Sequence, residues 1–243
     1  MIDEVAAAGF TAGVDAYERG RPEYPAEVVA LLAAELGIGP GRDVLDLAAG
    51  TGKLTRALVA TGASVVAVEP LAAMRARLRD VYALEGTAEA IPVASASFDA
   101  VTVGQAFHWF DAPAACAEIA RVLRDGGGLG VLWNLRDTTV PWVAAFEELF
   151  EWDRLRPFPK DEDWGAVLAA AGEFRPSTYH RFAWSQSIDA DGLVARALST
   201  SYVATWDAAR QADVAEGVRA LVADFPATFT LPHVTHVWCT TRS

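Results

Sequence analysis

The chain has 243 residues, of which 52% are hydrophobic and 21% are charged. This length fits one large domain or a core with a small cap, and the apolar content excludes a disordered chain. Its 32 acidic and 20 basic residues give a formal net charge of −12. Because such a surface repels phosphate and the sequence has no lysine- or arginine-rich run, the composition argues against nucleic acid as the main partner and against anionic membranes.

Cysteine and histidine usage bears on metals and on the cell compartment. Cys116 and Cys239 are far apart and the four histidines are scattered, so we expect no metal site and no structural disulfide. A reducing cytoplasm fits this usage. No apolar stretch approaches the roughly 20 residues of a membrane span, and the acidic segment 1–10 lacks the basic start of a signal peptide. We therefore expect a soluble, cytoplasmic protein.

Short apolar runs alternate with helical patterns through the first half of the chain. The runs are rich in β-branched residues and are bounded by Gly or Asp, as buried strands are. Helices between successive strands indicate a parallel sheet with helices on both faces. The predicted strands are residues 43–47, 64–69, 98–104 and 128–134, with a weaker candidate at 81–86.

Two helices are predicted in the same half from apolar periodicity. Pro25 precedes a periodic segment at 26–36, which places a helix before the first strand. The apolar spacing of Ala115, Ile119, Val122 and Leu123 places another helix before the fourth main strand. The glycine-rich segment 125–128 is expected to end that second helix, since glycine tolerates the left-handed turn at a helix C-terminus.

The pattern changes after residue 135. Two strand-like segments, 178–187 and 228–241, are expected to extend one edge of the sheet. Helical stripes before and between them are expected to form a cap. The whole pattern predicts a doubly wound, mostly parallel α/β sheet of seven strands in one domain.

The segment VLDLAAGTGKLT at 44–55 joins the first predicted strand to a helix through a bend of small residues. Asp46 lies near the strand end, and Gly50 and Gly52 precede the helix. Glycine lets the backbone approach a ligand, and a helix N-terminus presents free N–H groups. Ligands of doubly wound sheets bind at this end of the strands, so we expect a ligand site here.

Three classes of ligand compete for this site. A phosphate-binding loop of the type GxxxxGK[ST] fails because Leu54 follows Lys53 and no glycine stands at position 47. A nicotinamide dinucleotide is a partial match, since Thr55 replaces the third glycine of GxGxxG and Asp46 would lie near the pyrophosphate. S-adenosylmethionine has no phosphate but carries an ammonium and a sulfonium, which an acid suits.

A second acid, Glu69, ends the next predicted strand, 23 residues after Asp46. A carboxylate at this position can accept hydrogen bonds from both hydroxyls of a ribose. Both a nicotinamide dinucleotide and S-adenosylmethionine contain that ribose. Glu69 therefore leaves both cofactors open.

Five separated segments resemble the class I S-adenosylmethionine-dependent methyltransferases in order and spacing, over about residues 15–135. The sequence is most similar to the small-molecule group that includes trans-aconitate and ubiquinone/menaquinone methyltransferases. The five segments are Asp46 with Gly50-Thr51-Gly52, then Glu69, then 86–92, then Phe98-Asp99, and then Arg124-Asp125-Gly126-Gly127.

The resemblance implies a Rossmann-like fold with S-adenosylmethionine as cofactor. It also implies methyl transfer to an O, N or C nucleophile of a small molecule by in-line displacement. The corresponding parts would be an N-terminal lid and helix at 1–40, a cofactor-binding core at 41–135, and a C-terminal helical cap with sheet-edge strands at 136–243.

Carried over by position, the resemblance assigns the cofactor contacts. Tyr17 and Arg21 lie in a segment that would fold over the cofactor as a lid, and Arg21 would pair with the cofactor carboxylate. Gln105 would line the methyl side. The other assigned residues are Asp46, Ala48, Gly50 and Gly52 for the methionine part, Glu69 with the adjacent Pro70 for the ribose, and Met74, Thr87 and Ala88 with the adjacent Glu89 for the adenosine.

Two assigned positions depart from the usual pattern of the group. Ala48 replaces the first glycine of the loop and adds a methyl group beside the cofactor. Thr87 replaces an acid that often bonds the adenine amino group. We expect weaker contact with adenine and retained binding.

His108 is the candidate catalytic residue. The segment GQAFHWF at 104–110 is similar to one in the group and would place His108 at the mouth of the site. Histidine titrates near neutral pH, which suits a general base, but the neighbouring Trp109 and Phe110 equally fit a structural histidine. A nicotinamide-dependent oxidoreductase and a non-catalytic S-adenosylmethionine-binding module stay open as alternatives.

Overall fold

The computed structural model describes residues 7–10, 13–159 and 162–243. Within these ranges one sheet contains the strands β1 (Asp43–Leu47), β2 (Ser64–Val68), β3 (Tyr82–Leu84), β4 (Phe98–Gly104), β5 (Leu123–Arg136), β6 (Thr178–Ile188) and β7 (Phe229–Thr241). The strand order is β3-β2-β1-β4-β5-β7-β6. Strands β1 to β5 are parallel, and β7 pairs antiparallel with β5 and β6. The predicted seven-stranded, mostly parallel, Rossmann-like α/β fold is confirmed.

Helices cover both faces of the sheet and form most of the cap. Those in the described part of the chain are α1 (Val14–Gly20), α2 (Ala26–Leu36), α3 (Lys53–Val59), α4 (Ala72–Arg75), α5 (Ala112–Val122), α6 (Pro141–Glu148), α7 (Trp152–Leu155), α8 (Trp164–Ala171), α9 (Ala190–Leu198) and α10 (Ala208–Leu221). Asp111, Asp163, Asp189 and Asp207 begin α5, α8, α9 and α10, and each accepts a backbone N–H of the first turn. These caps satisfy donors that a helix start leaves open.

Three apolar clusters hold the fold together. On one face of the sheet, α2 and α3 bury Leu32 and Leu58. On the other face, α5 and α8 bury Ile119 and Leu168. A separate cluster inside the cap joins α6, α9 and α10 around side chains such as Leu193. Each fully buried side chain of this size contributes about 1.5–3 kcal/mol to stability. Because the cap cluster is separate from the other two, the cap has a core of its own.

The glycine-rich segment 125–128 does not end α5, contrary to the sequence prediction. The helix already ends at Val122, so Leu123, which was predicted to belong to it, is the first residue of β5, and the glycine-rich segment lies inside that strand. A Cβ on Gly128 would lie 2.7 Å from Leu36 Cδ2, and one on Gly130 would lie 2.9 Å from Leu36 Cδ1. These glycines therefore let α2 pack closely on the sheet, which is a different use of the same residue type.

The N-terminal segment packs on the cap. The backbone of Gly20, at the end of α1, approaches α9 so closely that a Cβ would lie 2.5 Å from the Arg196 backbone nitrogen. Residues 1–6 and 11–12 of the predicted lid lie outside the described residues.

No helix in the described ranges combines the length and the apolar character needed to span a membrane. Among the same residues, no group of three or more His, Cys, Asp or Glu side chains is arranged to hold a metal ion.

Candidate active site

A cleft of about 770 Å³, counting its solvent-open part, lies at the carboxyl ends of β1, β2 and β4. The strand order reverses between β1 and β4, and such switch points are the usual ligand sites of doubly wound sheets. The volume suits a cofactor or small ligand. Most of the cofactor residues assigned from the sequence meet here: Tyr17, Ala48, Gly50, Glu69, Pro70, Met74, Thr87, Ala88, Glu89 and Gln105.

Glu69 provides a fixed carboxylate on the cleft wall. The residue is 4% exposed. Its Oε2 accepts the Gly50 N–H at 2.8 Å, and its Oε1 accepts the Leu71 N–H at 2.8 Å. Burial raises the pKa of Glu69 above its ordinary value, although both backbone bonds oppose the shift. Each oxygen keeps a second lone pair, so the carboxylate can still accept hydrogen bonds from two ligand hydroxyls.

Asp46 is placed differently, because it does not line this cleft. Thr55 Oγ1 donates to its Oδ2 at 2.6 Å, and Thr102 Oγ1 donates to its Oδ1 at 3.0 Å. Asp46 is 1% exposed and lines a smaller adjoining cavity that also contains Tyr24. Burial raises the pKa of Asp46 to about 6, although both threonine bonds oppose the shift. The side chain ties β1 to α3 and β4 directly behind the cofactor loop.

The backbone of the cleft is strained at two strand ends. Ala48 follows β1 with φ 55°, and Gln105 follows β4 with φ 61°. The left-handed region costs a non-glycine residue about 1–2 kcal/mol. Backbone strain of this kind concentrates at ligand sites, and both residues line the cleft. Gly52 does not line it; this residue begins α3 in the same left-handed conformation, with φ 86°.

A second cavity, of about 590 Å³ with its solvent-open part, adjoins the cleft. The two cavities share Phe10, Tyr17, Gln105 and Trp109 in their walls. Arg21 lines only this second cavity, where its guanidinium lies 5.0 Å from the Tyr17 ring and its Nη2 donates to the Ser199 carbonyl at 3.4 Å. The predicted lid arginine therefore lies beside the cleft and outside its lining.

His108 also lines the second cavity. Its Nδ1 accepts a hydrogen bond from Trp133 Nε1 at 3.4 Å, and its ring centroid lies 4.6 Å from those of Trp109 and Phe158. Burial, with a smaller effect of Arg21, lowers the pKa of His108 to about 3. The ring is therefore neutral at neutral pH and is a weak proton acceptor.

Sequence reasoning missed two arginines of the second cavity, Arg136 and Arg196. Arg136 is the last residue of β5, and Arg196 is buried on α9 next to apolar residues such as Val194 and Ala197. A charged residue inside an apolar helix segment was the available signal. Sequence reasoning also missed Phe10 and Leu71 in the cofactor cleft, which carry no pattern of their own.

Comparison with known proteins gives consistent matches. A family profile described as a methyltransferase domain matches residues 45–131. An uncharacterized methyltransferase of Mycobacterium tuberculosis is 40% identical over 237 residues, covering 93% of this chain and 92% of that protein. Demethylmenaquinone methyltransferase of Mycobacterium sp. (strain JLS) is 36% identical over 193 residues, covering 77% of each chain.

The fold has matches among solved structures. Haemonchus contortus phosphoethanolamine N-methyltransferase 2, in complex with phosphomonomethylethanolamine and S-adenosylhomocysteine, superposes with a TM-score of 0.59 at 15% identity. The match covers 95% of this chain and 57% of that one. At this identity the likeness concerns the fold alone.

The chain belongs to the class I S-adenosylmethionine-dependent methyltransferases. Membership of this family decides between the two cofactors that Glu69 leaves open. The cleft agrees with the choice, because its described lining contains the acids Glu69 and Glu89 and neither lysine nor arginine. Such a lining suits a cationic nucleoside without phosphate better than a pyrophosphate.

Proposed function

We propose that this methyltransferase acts on a small molecule, which binds in the second cavity while the cofactor occupies the cleft. The shared walls at Tyr17, Gln105 and Trp109 would bring the two ligands together. The second cavity lies between α1, the end of β5 and α9, and its size suits a small ligand. The methyl group would pass across the boundary near Gln105.

The chain's own residues would position the cofactor in three places. Glu69 would accept the ribose hydroxyls, and the backbone from Ala48 to Gly50 would hold the methionine part. Met74 and Ala88, at 3% and 4% exposure, would enclose the adenosine. When bound, S-adenosylmethionine supplies a sulfonium methyl carbon that a lone pair of the acceptor attacks in line, while the electron pair of the broken C–S bond leaves with the sulfur.

Positioning and exclusion of water are the protein's main contributions in this proposal. His108 is neutral and a weak base, so proton removal would not depend on it. The reaction then favours an acceptor whose nucleophilic atom does not have to lose a proton before it attacks. Trp109 and Phe110, which line the cleft, would keep water from the reacting atoms.

The observation that carries the cofactor assignment is the buried Glu69 carboxylate with a spare lone pair on each oxygen. Titration calorimetry with S-adenosylhomocysteine tests it on the wild type and on Glu69→Gln and Glu69→Ala. We expect Glu69→Ala to weaken binding by at least tenfold, which is about 1.4 kcal/mol, because two charge-assisted hydrogen bonds are lost. Glu69→Gln should fall between the two.

Glu85→Ala is the matched control, since that glutamate is 75% exposed and pairs with Arg75 outside the cleft. Circular dichroism should show folded protein for each variant. Unchanged binding by Glu69→Ala would contradict the ribose assignment.

A turnover screen separates the enzyme from a module that only binds the cofactor. Radiolabelled methyl donor would be incubated with the full chain and a library of small acceptors. Labelled product from any of them supports the proposal. Tight binding of S-adenosylhomocysteine with no labelled product from any acceptor favours the binding module.

A further inference from the structure

Three arginines from distant parts of the chain line the second cavity: Arg21, Arg136 and Arg196. Arg136 and Arg196 are 6% and 3% exposed. Arginine is rarely buried this deeply unless it has a partner. Their presence together in an acidic chain calls for a physical reason.

The known partners of these arginines account for only part of their donors. Arg136 Nε donates to Glu147 Oε1 at 2.5 Å, and its guanidinium lies 4.8 Å from the Trp152 ring. Arg136 Nη1, Arg196 Nε and Nη1, and Arg21 Nε have no hydrogen-bond partner among the described residues. The hydroxyl of Thr200, which is 1% exposed and lines the same cavity, also has none.

The charge in this region is equally unbalanced. The described lining of the second cavity contains three guanidinium groups and no carboxylate, and His108 on the same wall is neutral. Glu147 pairs with Arg136 from outside that lining. Burial, followed by the nearby Arg21, lowers the pKa of Arg196 well below its ordinary value. Packing does not require such an arrangement, since an apolar side chain of similar volume would fill the site of Arg196 without this penalty.

We propose that the second cavity holds the methyl acceptor by an anionic group, a carboxylate or a phosphate, bound between Arg136 and Arg196. This inference rests on the proposed function and names the class of its substrate. Guanidinium groups present paired donors that match the oxygens of both anions. The Trp152 ring packs against the Arg136 guanidinium, and Thr200 adds a hydroxyl donor. The apolar part of the acceptor would lie against Phe158 and Trp109.

Arg136 and Arg196 are separate from the assigned cofactor contacts. Both line the second cavity and neither lines the cofactor cleft. Loss of either positive charge should therefore weaken binding of an anionic acceptor and leave cofactor binding unchanged.

The test uses small anions as probes of the full chain, with and without S-adenosylhomocysteine. The carboxylate arm contains malonate, succinate and phenylacetate, each beside its neutral amide. The phosphate arm contains inorganic phosphate and phenyl phosphate. Titration calorimetry should show at least one anion bound by the wild type, on the order of tenfold or more tighter than its neutral counterpart. The arm that contains the tightest probe identifies the anionic group.

Three variants locate the site. Arg196→Met should weaken that anion by about 10- to 100-fold, as expected for loss of hydrogen bonds to a charged group. Arg196→Lys should restore part of the affinity. Arg219→Met is the matched control, because this cap arginine is 56% exposed and pairs with Asp191. Arg196→Met should also melt at a temperature at least as high as the wild type, since it removes a buried guanidinium whose Nε and Nη1 have no hydrogen-bond partner among the described residues.

Each contrary result has a distinct meaning. If no probe binds the wild type, or if amides bind as well as acids, the anionic acceptor is wrong. If Arg196→Met weakens S-adenosylhomocysteine instead of the anion, the arginines serve the cofactor and the inference is also wrong. If S-adenosylhomocysteine fails to bind the wild type, the proposed function fails, while the titrations without it still decide the anion site.

Discussion

The two halves of the site differ in how completely the protein satisfies its own charges. In the cofactor half, both oxygens of Glu69 and both oxygens of Asp46 accept hydrogen bonds from within the chain. In the cap half, Arg136 and Arg196 keep donors without partners among the described residues. The cofactor half is therefore preorganised, whereas the cap half contains charge that a ligand would balance.

This difference has a counterpart in the packing. The cap encloses its own apolar cluster around α6, α9 and α10, apart from the clusters on the two faces of the sheet. A defect in the cap core should therefore lower the stability of the fold without changing the shape of the cofactor cleft. Two leucines allow a direct comparison.

The largest expected effect comes from Leu193→Ala in the cap and Leu47→Ala in β1. Both leucines are fully buried, and Leu47 also lines the cofactor cleft. Each substitution removes buried carbons and leaves a cavity, so each should lower the free energy of unfolding by about 2–5 kcal/mol in urea titrations. Only Leu47→Ala should weaken S-adenosylhomocysteine, as measured by calorimetry on folded protein. Equal losses of affinity in both variants would show that the cap and the cofactor cleft are not independent.

A smaller effect is expected from the buried acid of the cofactor half. The folded pKa of Asp46 is about 6 against an ordinary 3.8, so the folded state holds this proton more tightly than the unfolded chain. The stabilisation from protonated Asp46 is complete below about pH 3.8 and is lost as the pH rises through about 6. At pH 7 the ionised side chain costs about 2–3 kcal/mol.

Asp46→Asn removes that cost, because the amide is neutral and can still bond Thr55 and Thr102. We expect the variant to be about 2–3 kcal/mol more stable than the wild type at pH 7, with the gain disappearing near pH 4. Urea titrations at the two pH values measure the difference. A gain of the same size at both pH values would show that the ionisation of Asp46 is not its source.

Most of the residues that sequence patterns assigned to the cofactor line one cleft, because the sequence signal for them is local. Asp46 and Glu69 end neighbouring parallel strands, and parallel strands bring their carboxyl ends to one edge. The sequence does not predict that Arg21, Arg136 and Arg196 line one cavity, since they meet only through the packing of α1, β5 and α9. The glycines at 126–128 were assigned wrongly for a different reason. A glycine can end a helix or allow a neighbouring element to pack closely, and the sequence does not distinguish the two uses.

The smallest expected effect separates backbone strain from contact with the cofactor. Gly50→Ala and Gly37→Ala each place a methyl group on a left-handed residue, with φ 58° and 66°. At Gly50 the Cβ would lie 3.8 Å from both Met74 Sδ and Tyr17 Oη, inside the cleft, whereas at Gly37 it would meet nothing within 4 Å. Both variants should therefore lose about 1 kcal/mol of stability.

Only Gly50→Ala should also weaken S-adenosylhomocysteine, by about 1 kcal/mol or roughly fivefold, because its methyl group occupies space where the cofactor would lie. Thermal melts and calorimetry on both variants make the comparison. Ala48 already carries such a methyl group two residues earlier, at φ 55°, so the loop tolerates the conformation and the affinity becomes the informative quantity. If Gly37→Ala weakened the ligand equally, the effect would come from stability, and the backbone after β1 would have no direct part in holding the cofactor.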